Sequence, residues 1–273
     1  MLKRGEFTPF FFKGKIVIGS PYNTINNRTL FTIISFVIAL GVWWTISMMG
    51  TMLPSPLEVA NAFVTLSWRN GSSPLFEAAL ASSLRIFIAS LLVILVGIPV
   101  GILMGTSPKL DALISPVIDP FRSAPVVALL PLFVIWLGID ETMKISFLFT
   151  GAVIYLIPMV RDSIKAVPYP YWEMIKDLGG TSWECIRHGM VPIAAPRMAD
   201  AVITCFSIMW TYITVAEYVN ASSGLGQIIQ NARRFSALDQ VIAGIITIIV
   251  LSFLTFKLLS FVRQRVFAWE VYK

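Results

Sequence analysis

The chain has 273 residues, of which 56% are hydrophobic and only 13% charged, and its mean hydropathy is +0.78. That balance excludes a soluble globular protein and points to an integral membrane protein. The formal net charge of +6 requires no nucleic-acid partner, because positive cytoplasmic loops lying against anionic lipid headgroups account for it.

Residues 1–28 are predicted to be a cytoplasmic N-terminal segment. Its apolar patch, FTPFFF, is too short for a signal-peptide core and the run after it is too long, so the segment is expected to remain as an uncleaved anchor. Residues 14–20, GKIVIGS, come near a phosphate-binding loop, but Ser20 stands where the pattern needs Lys, and no strand precedes it. No other stretch offers a nucleotide site, a Ser/His/Asp arrangement or paired carboxylates. The chain therefore reads as a non-enzyme, and energy for any uphill movement must arrive from elsewhere.

Residues 30–49 and 86–104 are uncharged runs close to the ~20 residues a helix needs to cross the hydrocarbon core. Weaker runs at 126–139, 145–160, 201–216 and 241–256 complete six predicted spans. None alternates apolar with polar residues as a membrane barrel strand does, so 29–265 reads as one all-helical bundle followed by a cytoplasmic tail, 266–273. With the N-terminus inside, fifteen Lys and Arg fall on the cytoplasmic side. Arg69, Lys144, Arg233 and Arg234 fall outside, and Arg85 and Arg197, close to span ends, are counted on neither side, which puts both termini in the cytoplasm.

Between the spans, Ser55, Pro56 and Glu58 fit the N-cap, N1 and N3 positions of a helix on the outer face. Gly97, Gly101 and Gly105 make a small-xxx-small ridge for close helix packing, within the chain or at a subunit interface. Pro116, Pro120, Pro125 and Pro131 are predicted to break the third span, and broken helices in a bilayer line cavities or are buried in protein. That span is the first choice for a pathway lining. Arg122 beside the break has two readings, an ion pair with Asp119 three residues earlier or contact with a passing anion.

The loop between spans four and five contains EMIKDLGGTSWECIRHGMVP, residues 173–192. Pro168 and Pro170 end the preceding helix, and Tyr171, Ile175 and Leu178 give a short helix one apolar face. Gly179 and Gly180 end it, TSWE at 181–184 is a capping box that starts a second helix, and Pro192 marks entry to the fifth span. The pattern predicts an exposed helical hook, and an ordinary amphipathic helix on the membrane surface is the alternative. Cys185 and Cys205 read as free thiols and His188, the only histidine, as a loop residue without a metal cluster.

Glu173, Gly179 and Pro192 resemble the EAA-loop signature of permease subunits of bacterial binding-protein-dependent ABC importers with the type I fold. The two alanines that follow the glutamate in that signature are Met174 and Ile175 here, the usual Ile before Leu-Pro is Gly189, and the Leu is Val191. LPSP followed by LEVANAF, GIPVGILMG, DPFRSAPVVALLPLFVIWLGI and AEYVNASSGLG are similar to the nitrate, sulfonate, taurine and bicarbonate branch, and the resemblance covers about 53–265. It implies six transmembrane helices with a cytoplasmic coupling helix between spans four and five, in the bacterial inner membrane. Tyr171, Glu173, Ile175, Leu178, Gly179, Gly180 and Pro192 are then the ATPase-docking residues.

The resemblance further implies a second permease, usually an identical copy, two cytoplasmic ATPases holding ATP and Mg, and a periplasmic or lipid-anchored binding protein that delivers the solute. No cofactor is implied for this chain itself. Glu217 with the 222–226 turn, including Gly224 and Gly226, resembles the extracytoplasmic gate loop, with a solvated loop as the alternative. Arg122, Pro125 and Pro131 are the other pathway candidates. An ion-gradient-driven carrier is the runner-up, opposed by the lack of charge at mid-span, and a structural membrane anchor is third.

Overall fold

The computed structural model describes residues 25–50, 52–68, 72–219 and 223–269. The FTPFFF patch, the 14–20 stretch, Arg69, Ser222 and residues 270–273 lie outside them, as does the predicted N-terminal segment up to position 24. The chain forms two compact units, 1–51 and 52–273. In the first, the described element is α1, Ile25–Met48, which begins a few residues before the expected boundary.

The second unit begins with α2, Pro56–Ser67, which carries the expected capping box: Glu58 N–H donates to Ser55 Oγ, and Ser55 N–H donates to the Glu58 carboxylate at 2.7 Å. α3, Pro74–Thr106, starts twelve residues before the apolar run that announces it. Leu75, Ala78, Ser82 and Arg85 extend its buried face, so burial, not hydropathy, sets where it begins. α4, Pro108–Ser123, is followed by a 98° bend at 124–125, after which a 3₁₀ turn, Val126–Leu129, runs into α5, Leu130–Leu137. Pro125 causes the break, because it cannot donate a backbone hydrogen bond and it holds Ala124 extended at φ −83°, ψ 144°.

α6, Glu141–Lys165, carries the next span and ends before the hook, α7, Pro170–Asp177. One turn, α8, Ser182–Glu184, passes through a π-helical segment, Cys185–Met190, into α9, Val191–Tyr218. The second hook helix predicted from TSWE is therefore not separate from the fifth span. Pro192 is accommodated because the helix is already widened at the π segment, where the i→i−4 ladder that proline would interrupt is not in force. α10, Leu225–Arg234, and α11, Leu238–Val266, complete the chain. Among the described residues five helical segments are long and apolar enough to cross a membrane, and the bent α4/α5 pair, counted as one span, makes six.

The centre of this unit is the packing of α3, α6 and α9. A Cβ at Gly97 would lie 2.7 Å from Leu156, one at Gly101 2.6 Å from Val160, and one at Gly105 2.7 Å from Ile164. The glycine ridge is thus used inside the chain, to bring α3 against α6 closer than any side chain permits. Cys185 and Cys205 are buried free thiols.

Candidate functional site

Two polar features stand at opposite ends of the α9 rod: the hook on one side and the turn before α10 on the other. In the hook, Gly180 N–H donates to Ile175 O and Gly179 N–H to Lys176 O, both at 2.9 Å, which is the paired closure of a Schellman cap. Gly179 has φ +83°, the left-handed conformation that such a cap needs and that glycine adopts without strain. Thr181 then starts the next turn, with its N–H donating to Glu184 at 2.7 Å and Glu184 N–H returning to its hydroxyl.

The predicted apolar face of the hook is split by the structure. Ile175 turns inward: its Cδ1 lies 2.8 Å from where a Cβ on Gly189 would stand, and its Cγ2 lies 2.6 Å from one on Gly180. Leu178 is 83% exposed, and Tyr169, Met174 and Trp183 are also largely open, so these four offer the outward apolar surface. Tyr171 is at the edge of that surface, and Glu173 is exposed in the first turn of α7, where its carboxylate suits the positive end of the helix. Pro192 lies beyond the π segment, in the first turn of α9.

At the other end, Glu217 is buried to 1% exposure, and its neighbours form a closed network. Arg85 Nη1 donates to Glu217 Oε1 at 2.6 Å, while Arg85 Nε and Nη2 grip both oxygens of Glu141 at 2.5 and 2.7 Å. Lys144 Nζ reaches Glu141 at 2.9 Å. Two buried cations thus face one buried carboxylate, Glu217, and one half-open carboxylate, Glu141, so each buried charge has an opposite partner. The network holds the turn directly: Arg85 donates to the Ser223 carbonyl and hydroxyl, Leu225 N–H to Ser82 Oγ, Ser82 to Glu217, and Gly226 N–H to Glu217 Oε2.

Gly224 has φ +115°, and a Cβ there would enter the Glu217 carboxylate, while one at Gly226 would meet Glu217 Cβ at 2.5 Å. Sequence reasoning singled out Glu217, Gly224 and Gly226, and the structure brings all three together. It missed Ser82, Arg85, Glu141 and Lys144. Their spacing was the available signal, since Ser82/Arg85 and Glu141/Lys144 are each an i,i+3 polar pair at the margin of an apolar run.

The proline-broken span is arranged differently. Arg122 and Asp119 are 3.9 Å apart, but Arg161 is the nearer partner of Asp119, at 3.3 Å, and also reaches Asp111 and Asp162. Tyr155 Oη donates to the Arg122 carbonyl at 3.2 Å, fastening the end of α4 to α6. Pro125 and Pro131 are exposed, Pro131 on the open side of α5. Among the described residues no group of His, Cys, Asp and Glu could hold a metal ion.

Residues 97–268 match the family described as binding-protein-dependent transport system inner membrane component. The taurine transport system permease protein TauC of Escherichia coli (strain K12) is 30% identical over 252 residues, covering 90% of this chain and 92% of that protein. An aliphatic sulfonates transport permease protein of Bacillus subtilis (strain 168) is 29% identical over 237 residues, covering 85% of each. Among solved structures, a methionine ABC transporter, MetNI, in inward-facing conformations superposes with a TM-score of 0.63 at 19% identity. The match covers 71% of this chain and 96% of that one, a likeness of fold.

Proposed function

This chain belongs to the family of binding-protein-dependent transport system inner membrane components, and from that premise we propose that it is the permease through which a small sulfonate or related oxyanion is imported. It is a multi-pass membrane permease of an ABC importer with the type I fold, and the ion-gradient carrier is not favoured. The names of the taurine and aliphatic sulfonate relatives support the substrate class.

The observation that carries the mechanism is the continuous helical run of 37 residues from Ser182 to Tyr218. Such a run is about 55 Å long. It bears the hook contact at Gly189 near one end and the latch at Glu217 near the other. In this reading a partner ATPase, which supplies the ATP and Mg, docks on Tyr169, Met174, Leu178 and Trp183. A tilt of the hook moves the rod, and the rod moves the turn ahead of α10. The hook end faces the cytoplasm together with both termini, as the charge distribution favours. Two identical copies enclose the path, and a binding protein delivers the solute to the α10 end.

Reconstitution tests the reading. Proteoliposomes holding this permease, its ATPases and its binding protein are expected to take up radiolabelled taurine or methanesulfonate only with ATP and binding protein present. Uptake by the permease alone, driven by an ion gradient, refutes it.

A further inference from the structure

One face of α9, open or half-buried, is polar along much of the helix. Arg197, Asp200, Thr204, Ser207, Thr211 and Thr214 follow one another at intervals of three or four residues, whereas the open faces of α3 and α11 are lined by Leu, Ile, Val and Phe. Polar groups do not face lipid tails without cost, so this side of α9 meets water, solute or protein.

Toward the α10 end the stripe opens into a groove of about 480 Å³ between α9 and α11. Ser207, Trp210, Thr211 and Thr214 form its polar wall, and the α11 wall is apolar at Ile249, Phe253 and Phe256 apart from the Ser252 hydroxyl. Trp210 is only 4% exposed, yet its indole N–H has no hydrogen-bond partner among the described residues. A buried orphan donor is a rare and costly feature that calls for an explanation.

The hydroxyls are also held loosely. Helical Ser and Thr normally donate back to a carbonyl one turn earlier, and Thr204, Thr247 and Thr255 do so at 2.9, 2.8 and 2.7 Å. In the groove the same bonds stretch to 3.3 Å for Ser207, 3.5 Å for Thr211, and 3.5 and 3.3 Å for Thr214. These are at the outer limit of a hydrogen bond, so each O–H is available to turn toward a better acceptor.

We propose that this groove is a transient binding site for the solute on its way through the membrane. The Ser207, Thr211 and Thr214 hydroxyls donate to the oxygens of an anionic head group, the buried Trp210 N–H joins them when the side chains covering it move aside, and the α11 wall receives a short aliphatic tail. Neutral donors suit a transported anion, because they hold it without the full charge pairing that would keep it from leaving. The inference rests on the sulfonate reading above and adds to it the residues that touch the solute inside the permease.

The test uses the full reconstituted complex and radiolabelled taurine, comparing wild type with Trp210→Phe and with the double variant Thr211→Val, Thr214→Val. These substitutions remove donors and nearly preserve shape. The expected result is complexes of normal subunit stoichiometry in which taurine moved per ATP hydrolysed falls roughly fivefold or more, on the scale of one or two lost hydrogen bonds. Thr211→Ser with Thr214→Ser, which restores the donors, is expected to recover most of it. Unchanged coupling in both variants overturns the site, as does loss of assembly in step with transport, which would make the groove a subunit contact. A wild-type complex that imports neither taurine nor methanesulfonate refutes the sulfonate reading itself, a result distinct from a wild type that transports and variants that do so equally well.

Discussion

Ile175 occupies the room that a side chain at Gly189 would need, its Cδ1 standing 2.8 Å from the position of the missing Cβ. Measured against the EAA-loop signature that the hook resembles, Ile175 stands at an alanine position and Gly189 at an isoleucine position. A compensating exchange of volume across this one contact, which fixes the hook against the π segment, is the expectation to be tested.

A reciprocal substitution tests this compensation. Gly189→Ile alone overpacks the contact, at a cost of roughly 1–3 kcal/mol, and is expected to displace the hook and weaken ATPase binding. Gly189→Ile combined with Ile175→Ala is expected to regain binding, so the two effects are strongly non-additive. ATPase affinity across the four proteins of the cycle is the measurement. Additive losses would mean that the two side chains do not share this space.

Gly179 is tested separately, because nothing lies within 4 Å of a Cβ placed there and only its φ of +83° resists substitution. Gly179→Val is expected to add strain of order 1–3 kcal/mol at the Schellman cap, re-aiming α7 without unfolding the bundle. Membrane insertion and thermal stability should stay near wild type while ATP hydrolysis stimulated by the loaded binding protein drops. Glu173→Ala should behave in the same direction through the helix start. Wild-type coupling in both variants would remove the hook from the mechanism.

The hook was legible because glycine pairs, capping boxes and proline are local signals whose chemistry acts within a few residues. The direction of Ile175 was not, since it depends on what stands opposite, and Gly189 is far along the chain. Span existence was legible from apolar runs, yet α3 begins well before its run because Arg85 is neutralised by Glu141 and Glu217, from two other helices. Hydropathy counts Arg85 as a terminator; the fold uses it as a fastener. The unbroken passage from Thr181 into the fifth span was hidden for a related reason, since TSWE and Pro192 each look like a boundary and only the π segment reconciles them.

The glycine ridge predicts a graded series. Gly101→Val would drive a side chain into Val160 and the Ile157 carbonyl, which stand 2.6 and 2.8 Å from the added Cβ, whereas Gly41→Val in α1 meets nothing within 4 Å. Gly101→Val is therefore expected to lower the melting temperature in detergent markedly and to reduce the yield of folded permease, with Gly41→Val close to wild type. Equal behaviour of the two would show that α3 and α6 tolerate separation.

The latch makes the sharpest demand on a single charge. Arg85 is 5% exposed and donates to Glu141, Glu217 and Ser223, so Arg85→Met leaves two carboxylates and the Ser223 carbonyl without it. Removing one partner of a buried ion pair typically costs about 3–5 kcal/mol. Lys144 still neutralises Glu141, but the nearest remaining donors to Glu217 are Ser82 and the Gly226 N–H, which carry no charge. Arg85→Met is thus expected to lower stability and to release the 223–226 turn, raising the reaction rate of a cysteine placed at Ser223 with a water-soluble thiol reagent. The companion Arg85→Met, Glu217→Gln removes the stranded charge as well. It should recover a large part of the stability while the turn stays reactive, because the bonds from Arg85 to Ser223 remain absent. A turn that stays protected in both proteins would show that Arg85 is not what holds it.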